Sequence, residues 1–374
     1  SELGAAAGAP VVWGEQVFVV AWEAEGATLQ LISVQRSSGH LLWKRSLISD
    51  PMPANWAVNS ALLPTPACDG ERIYVPSVHD GELWLTAVNQ DGEVEWRGTA
   101  GPVLGMTPAT QAAVVFGPLV IVAVDQDDKS LTPWQANSYV AALHRQTGNL
   151  VWRTMRPDGA SAGVPMVSQV AKRSQLLLAG RGAVRSYDPA TGEELWRCRW
   201  RAETTVGSVV CDDEHVYASA VGPLGETLGI RGDGDVTDSH VMWRDRRSLP
   251  IASELVLADS LLIEQQRDGF IIARDKASGV SLWRKRMPAN LLPTPLLIGQ
   301  HLVCASTAGR LSVMDVRRRG ELLFEAALGR AIAAGPAVTK QSLVFSTPTG
   351  LFRFSPNDVP QRLAVEPQQS RPTR

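Results

Sequence analysis

Hydrophobic and polar positions alternate along most of the chain in runs of four to seven residues, with almost no trace of the three-to-four spacing of an amphipathic helix. The stretch from Val164 to Trp200 shows the unit. VPMVSQV, SQLLLAG and AVRSYD are three aliphatic runs, and LWRCRW follows as a fourth after the turn sequence PATGEE. Runs of this kind, bounded by Gly, Pro, Asp and Ser, predict short strands. In the turn, Asp188 can cap backbone N–H groups, Pro189 presets φ, and Gly192 tolerates a positive φ, so the third and fourth runs are expected to form a hairpin.

The same ending recurs along the chain: a glycine, three residues, then an aromatic. The copies are SSGHLLW to Trp43, QDGEVEW to Trp96, QTGNLVW to Trp152, ATGEELW to Trp196, ASGVSLW to Trp283 and RRGELLF to Phe324. DVTDSHVMW, ending at Trp243, keeps the aromatic without the glycine. Successive aromatics are 53, 56, 44, 47, 40 and 41 residues apart, the period of four-stranded propeller blades. A blade packs both faces on its neighbours, and the wedge between blades widens toward the outer strand. An indole fills that wedge, so Trp43, Trp96, Trp152, Trp196, Trp243, Trp283 and Phe324 are expected to dock each blade on the next. Lys44, Arg97, Arg153, Arg197, Arg244 and Arg284 follow the tryptophans, and charge on an outer strand deters edge-to-edge pairing.

Pro10, Pro66, Pro108, Pro165, Pro295 and Pro336 stand at or near the first run of a unit, where a missing N–H is tolerated. Seven aromatic-bearing units end near residue 328, and AIAAGPAVT, QSLVFS and GLFRFS supply three more strands. The expected fold is therefore all-β: a single eight-bladed propeller of four-stranded antiparallel blades over residues 1–356, its last blade incomplete. A polar, disordered tail is expected over residues 357–374. With only Ser1 to Ala7 ahead of the first Pro-marked strand, the ring is expected to be cut at its closing strand and weakest between blades one and eight.

Composition narrows the function. The 374 residues are 44% hydrophobic and 20% charged, a globular balance that excludes disorder as the main state. Thirty-six Lys and Arg oppose 38 Asp and Glu, so no basic field is available for nucleic acid. No apolar run is long enough to span a bilayer. Cys68, Cys198, Cys211 and Cys304 are widely spaced, with no C-x-x-C and no adjacent pair, and are expected to be buried free thiols.

The T-G-x-x-x-W endings, the opening PTPACDGERIYV and the spacing resemble the pyrroloquinoline-quinone-like repeat β-propellers over nearly the whole chain, from about Pro10 to Phe354. That group includes outer-membrane assembly lipoproteins. TPACDGERIYV and RGDGDVTDSHVMWR are most similar to its secreted, planctomycete-type members. The resemblance implies a bacterial cell envelope, periplasmic or secreted. It also reaches quinone-dependent dehydrogenases of similar blade plan, in which a calcium-bound quinone is held by a Glu, an Asn and a catalytic Asp under an adjacent cysteine pair. This chain has no such pair, and that Glu, Asn and Asp have no assignable counterparts. No cofactor or catalytic residue is therefore expected. Pyrroloquinoline quinone with calcium in an oxidoreductase remains the alternative, and a ligand-sensing module of a larger protein is the third reading.

Other motifs are weaker. Gly159 to Gly163 read G-x-S-x-G, a nucleophile elbow only at a strand-to-helix turn. The scattered histidines offer no helical zinc pair; His144 and His240 belong near hairpins. The acidic turn Arg231 to Asp238 lacks the closing Glu of a calcium loop and is expected to be a long hairpin turn. Geometry is a better guide. Loops joining fourth to first and second to third strands share one face of a propeller, and two long loops fall in those classes. Asp50, Asn55, Trp56 and Asn59 lie on one; Asp125, Asp127, Asp128, Trp134 and Asn137 lie on the other. Exposed Trp beside carboxylates and amides suits a protein segment or a glycan. The expectation is a monomeric, non-enzymatic scaffold that presents this top face to such a partner.

Overall fold

The strand signals become eight blade sheets in chain order, beside one two-stranded parallel pair. The computed structural model describes residues 6–354 apart from 24–27, 49–62, 104–111, 127–137, 158–161, 201–205, 208, 221–225, 231–233, 247–254, 267–268, 288–290, 293–294, 330, 333, 340–341 and 348–349. Each of the first seven sheets holds a four-stranded blade, and the eighth has three strands, Ala334–Val338, Leu343–Thr347 and Gly350–Phe354. The protein is an eight-bladed propeller with an incomplete last blade. Blade eight nevertheless packs on blade one: Val344, with Ala337 and Leu351 beside it, shares an apolar cluster with Val17, Val19 and Val34.

The fourth unit shows how closely pattern becomes structure. Its strands are Met166–Val170, Arg173–Gly180, Ala183–Tyr187 and Glu194–Arg199. Asp188 caps the turn through the Ala190 N–H at 2.7 Å, and the Gly192 N–H closes it onto the Asp188 carbonyl at 2.8 Å. In all seven four-stranded blades the register shifts just before this hairpin, as between Ser186 and Tyr187. A bulge at that point re-aims the side chains that follow. Pro336 departs from the strand-start position and sits inside its strand, where the register slips between Ala334 and Ala337.

The re-aimed aromatics meet the turn glycines of the next blade. Trp43 lies over Gly92, Trp96 over Gly148, Trp152 over Gly192, Trp243 over Gly279 and Trp283 over Gly320. A Cβ at Gly92 would stand 2.7 Å from the indole, so only glycine permits that approach. Gly148 also has φ 72°, a conformation costly for residues with side chains. Trp43, Trp96 and Trp243 complete the contact by donating Nε1–H to the carbonyls of Gln90, Arg145 and Lys276 at 2.8 to 2.9 Å. Phe324 instead meets Phe354 of blade eight, ring centroids 6.3 Å apart.

Trp196 is the exception, and the sequence holds the reason. Blade five lacks the turn glycine, so Trp196 is buried and donates to Gln175 Oε1 at 2.7 Å. The segment occupying the vacated edge is Gly234–Asp235, which pairs in parallel with the outer strand of blade four. The acidic turn thus forms a fifth strand on a neighbouring blade. Asp235 pairs with Arg199 at 2.9 Å.

Two seams carry a carboxylate clamp at the face opposite the long loops. Asp69 accepts the N–H groups of Glu71 and Arg72, the Tyr74 hydroxyl at 2.8 Å and Arg145 of the next blade at 3.2 Å. Asp212 repeats it with Glu214, His215, Tyr217 and Lys276, whose ammonium lies 2.8 Å away. Burial pushes the Asp212 carboxyl up, but the Lys276 ammonium and the two backbone donors outweigh it and hold it at about 2.

Candidate functional site

Of the loop residues expected to form the site, Asp50, Asn55, Trp56, Asn59, Asp127, Asp128, Trp134 and Asn137 lie outside the described residues. Asp125 is described, and it is drawn into the interior. It is 3% exposed and paired with the equally buried Arg156, since a carboxylate in an apolar interior needs a fixed counter-charge. The adjoining Gln126 is also committed, bonding to Ser138 and to the Pro102 carbonyl.

Where the first long loop leaves blade one, the structure instead has a cleft of about 420 Å³ between blades one and two. Leu47 and Ile48, at the end of the outer strand Leu41–Ile48, form one wall. The other wall comes from the second strand of blade two, Arg72–His79, the third, Glu82–Asn89, and Arg97 of the outer one. These strands meet at the face bearing the fourth-to-first and second-to-third connections.

Strand alternation builds the cleft. On the side of blade two facing blade one, the cross-strand pairs climb from Ile73 and Val88 through Val75 and Thr86 to Ser77 and Trp84. Ile73, Val75 and Val88 join the apolar seam with Leu47, Phe18 and Leu31. The same stripe then turns polar at Thr86, Ser77 and Trp84, and the seam opens. Pro76 is tolerated mid-strand because the first strand, Ala67–Cys68, reaches only as far as Ile73 and Tyr74.

Two polar atoms in this wall are buried without a hydrogen-bond partner: Ser77 Oγ, on a residue 2% exposed, and Trp84 Nε1. An unsatisfied buried donor costs roughly 1–3 kcal/mol, so each such group calls for an explanation, and a ligand that completes the bonding is one. Arg97 reaches across the seam to the Leu47 carbonyl at 3.3 Å. It has no carboxylate partner among the described residues. His79 contacts Asp80 at the rim at 3.2 Å. The signal for Ser77 and Trp84 was the change from apolar to polar along one face of an alternating strand pair.

Buried charge elsewhere is internally paired. Between blades five and six, Glu264 accepts Thr227 and Arg274, each at 2.8 Å, and Arg274 also binds Asp245 at 2.8 Å. Glu226 accepts Arg244 and Arg246. All four cysteines are free thiols, with Cys198 and Cys304 buried and Cys68 and Cys211 half-buried. Burial pushes the Cys198 thiol up to about 11, against the opposing charge and hydrogen bond of Arg244. Ala162–Gly163 form a short strand parallel to Val206–Gly207, and the rest of G-x-S-x-G, Gly159, Ala160 and Ser161, lies outside the described residues.

The described residues offer no donor set for a calcium-held quinone. No two cysteines are adjacent, and among the described residues no three His, Cys, Asp or Glu side chains converge to hold a metal. No helix of the described residues is long and apolar enough to cross a membrane.

Comparison with known proteins agrees with the fold. BamB from Moraxella catarrhalis superposes with a TM-score of 0.66 at 16% identity, over 92% of this chain and 94% of that one. A europium-containing methanol dehydrogenase matches at TM-score 0.70 and 11% identity, over 92% and 83%. Sqt1 of Saccharomyces cerevisiae matches at 0.62 and 10%, over 95% and 96%. At such identities the likeness is one of fold. No curated protein matches the chain in sequence. The family model described as outer membrane protein assembly factor BamB matches residues 136–359, more than half of the chain. With its repeated glycine-to-tryptophan docks and eight blades, the chain belongs to that family of pyrroloquinoline-quinone-like repeat propellers.

Proposed function

We propose that the protein is a non-enzymatic scaffold of the bacterial cell envelope that holds a partner protein at the loop-bearing face, in the cleft between blades one and two. The observation carrying this reading is the pair of buried, unpartnered polar atoms, Ser77 Oγ and Trp84 Nε1, in a cleft walled by Leu47 and Ile48. A rigid ring positions such groups without reorganisation, which favours binding by lowering its ordering cost. The family match supports a protein-binding role in general, and the envelope location rests on the same kinship. A protein suits the lining better than a glycan does. Sugar hydroxyls need acceptors as well as donors, and the described lining residues hold no carboxylate or side-chain amide.

A photo-crosslinking residue placed at Ile48, on the cleft wall, and a second at Asp91, in the hairpin turn of the opposite face, test the reading in cells expressing the chain. A discrete protein adduct from Ile48 with none from Asp91 is expected. Equal adducts from both positions, or none from Ile48, would overturn it.

A further inference from the structure

We infer that the cleft between blades one and two is a carboxylate-recognition site, and that the group it takes is a carboxylate of a peptide segment. This inference rests on the proposed protein-binding reading and adds the chemistry of the contact. The lining is biased toward hydrogen-bond donation. Trp84 Nε1 is donor-only, Arg97 presents a guanidinium with one N–H on the Leu47 carbonyl, and the unpartnered Ser77 hydroxyl can donate, with the Thr86 hydroxyl beside it in the lining. None of the described lining residues is acidic. The next pair of the same stripe, His79 with the half-buried Glu82, puts a carboxylate at the rim, and Asp80 beyond it has its side chain 80% exposed.

A donor-rich pocket carrying a positive charge and two unsatisfied polar atoms is complementary to an anionic acceptor. Charge-assisted hydrogen bonds from Arg and from N–H groups are the strong class. A carboxylate offers two oxygens and about four lone-pair directions, enough to meet Ser77, Trp84 and Arg97 together. The apolar wall of Leu47 and Ile48 suits the methylenes and flanking side chains of a peptide, which ties the acceptor to a protein partner.

The neighbouring seam supplies an internal control. Between blades two and three the corresponding cross-strand pairs are Val120 with Leu143, Val122 with Ala141 and Val124 with Tyr139. Valine and alanine stand there where Ser77 and Thr86 stand here, while Tyr139 answers Trp84 with a hydroxyl that is likewise buried without a partner, so the two seams differ at Ser77 and Thr86. The polar stripe is thus peculiar to the first of these seams, although both are built on one strand plan.

The test uses the full chain labelled with 5-fluorotryptophan, the Trp84 fluorine resonance being assigned from Trp84→Phe. The probes are acetyl-Ala-Glu-Ala-amide, its Gln counterpart, acetyl-Ala-Ala-Ala with a free C-terminus, and glucuronate. The expected result is a saturable shift of the Trp84 resonance with the Glu peptide at roughly millimolar affinity, no matching shift with the Gln peptide, and at least about tenfold weaker binding in Arg97→Gln. Ser77→Ala is expected to weaken binding with an unchanged melting temperature. A stronger response to the free C-terminus than to the Glu side chain supports the same chemistry and identifies its source. Equal shifts with the Glu and Gln peptides, no shift with either, or a glucuronate response exceeding both would overturn the inference. Loss of the carboxylate response with the Ile48 adduct retained overturns this inference alone, whereas loss of the Ile48 adduct overturns the scaffold reading beneath it.

Discussion

The seam between blades one and two and the seam between blades two and three are built from the same parts and end differently. Each has an outer-strand tryptophan on the next blade's turn glycine, Trp43 on Gly92 and Trp96 on Gly148, and each indole donates to a backbone carbonyl. Below the loop-bearing face both are apolar. Near that face the second seam continues through Val124, Ala141 and Tyr139 and stays closed, while the first changes to Ser77, Thr86 and Trp84 and opens. The opposite ends differ as well. The Asp69 clamp, with Tyr74 and Arg145, belongs to the second seam. Three side chains on one face of two strands therefore decide whether an interblade contact is core or cleft, because alternation gives those positions to a single seam.

The largest break in this comparison is expected from the docking tryptophans. Trp96, 9% exposed and hydrogen-bonded, is expected to cost about 3–5 kcal/mol on replacement by alanine. Trp43→Ala, at a half-buried ring of the first seam, should cost about half that by the same measure. Guanidinium chloride unfolding of the two variants reads the difference directly, and equal losses would show that the two seams are held alike.

Exchanging the residues that distinguish the seams gives smaller, opposite effects. Val124→Ser places an unpartnered hydroxyl in the closed seam and is expected to cost about 1–3 kcal/mol. Ser77→Val removes one from the open seam and is expected to be neutral or stabilising by up to about 1 kcal/mol. A destabilising Ser77→Val, measured by the same unfolding curves, would mean that the hydroxyl already has a structural role.

The smallest effect belongs to acid. The Asp212 carboxyl, ordinarily near 3.8, is held at about 2 by Lys276 and backbone donors. A depressed folded-state value contributes stability that is present above the ordinary value and lost as pH falls toward the folded one. The melting temperatures of the wild type and Asp212→Asn are therefore expected to differ at pH 6 and to converge between about pH 4 and pH 2. Asp69 is depressed for the same reasons, and Asp69→Asn should behave likewise at the second seam. The first seam has no counterpart clamp among its described residues.

Much of this architecture is legible in the chain. The hairpins around Asp188 and Gly192, the outer-strand aromatics and the eight-unit count follow from local chemistry repeated at one period. The missing glycine before Trp243 even marks the one dock that changes, since Trp196 has no bare backbone to lie on and buries itself against Gln175. The site was less legible. Asp125 has the composition of a loop ligand, yet Arg156, 31 positions away, claims it. The cleft residues Ser77 and Trp84 sit inside strands, where polar residues pass unremarked unless one face is followed from end to end.

The sequence by itself determined the strands, the turns, the blade count and the docking positions, because each depends on contacts within one repeat or between a residue and a glycine in the next. The tertiary structure decided which buried polar groups find partners. Glu264 meets Thr227 and Arg274, and Asp212 meets Lys276, whereas Ser77 and Trp84 meet none. Those outcomes depend on which faces of distant strands the closed ring brings together, and no local pattern of side chains encodes that distance.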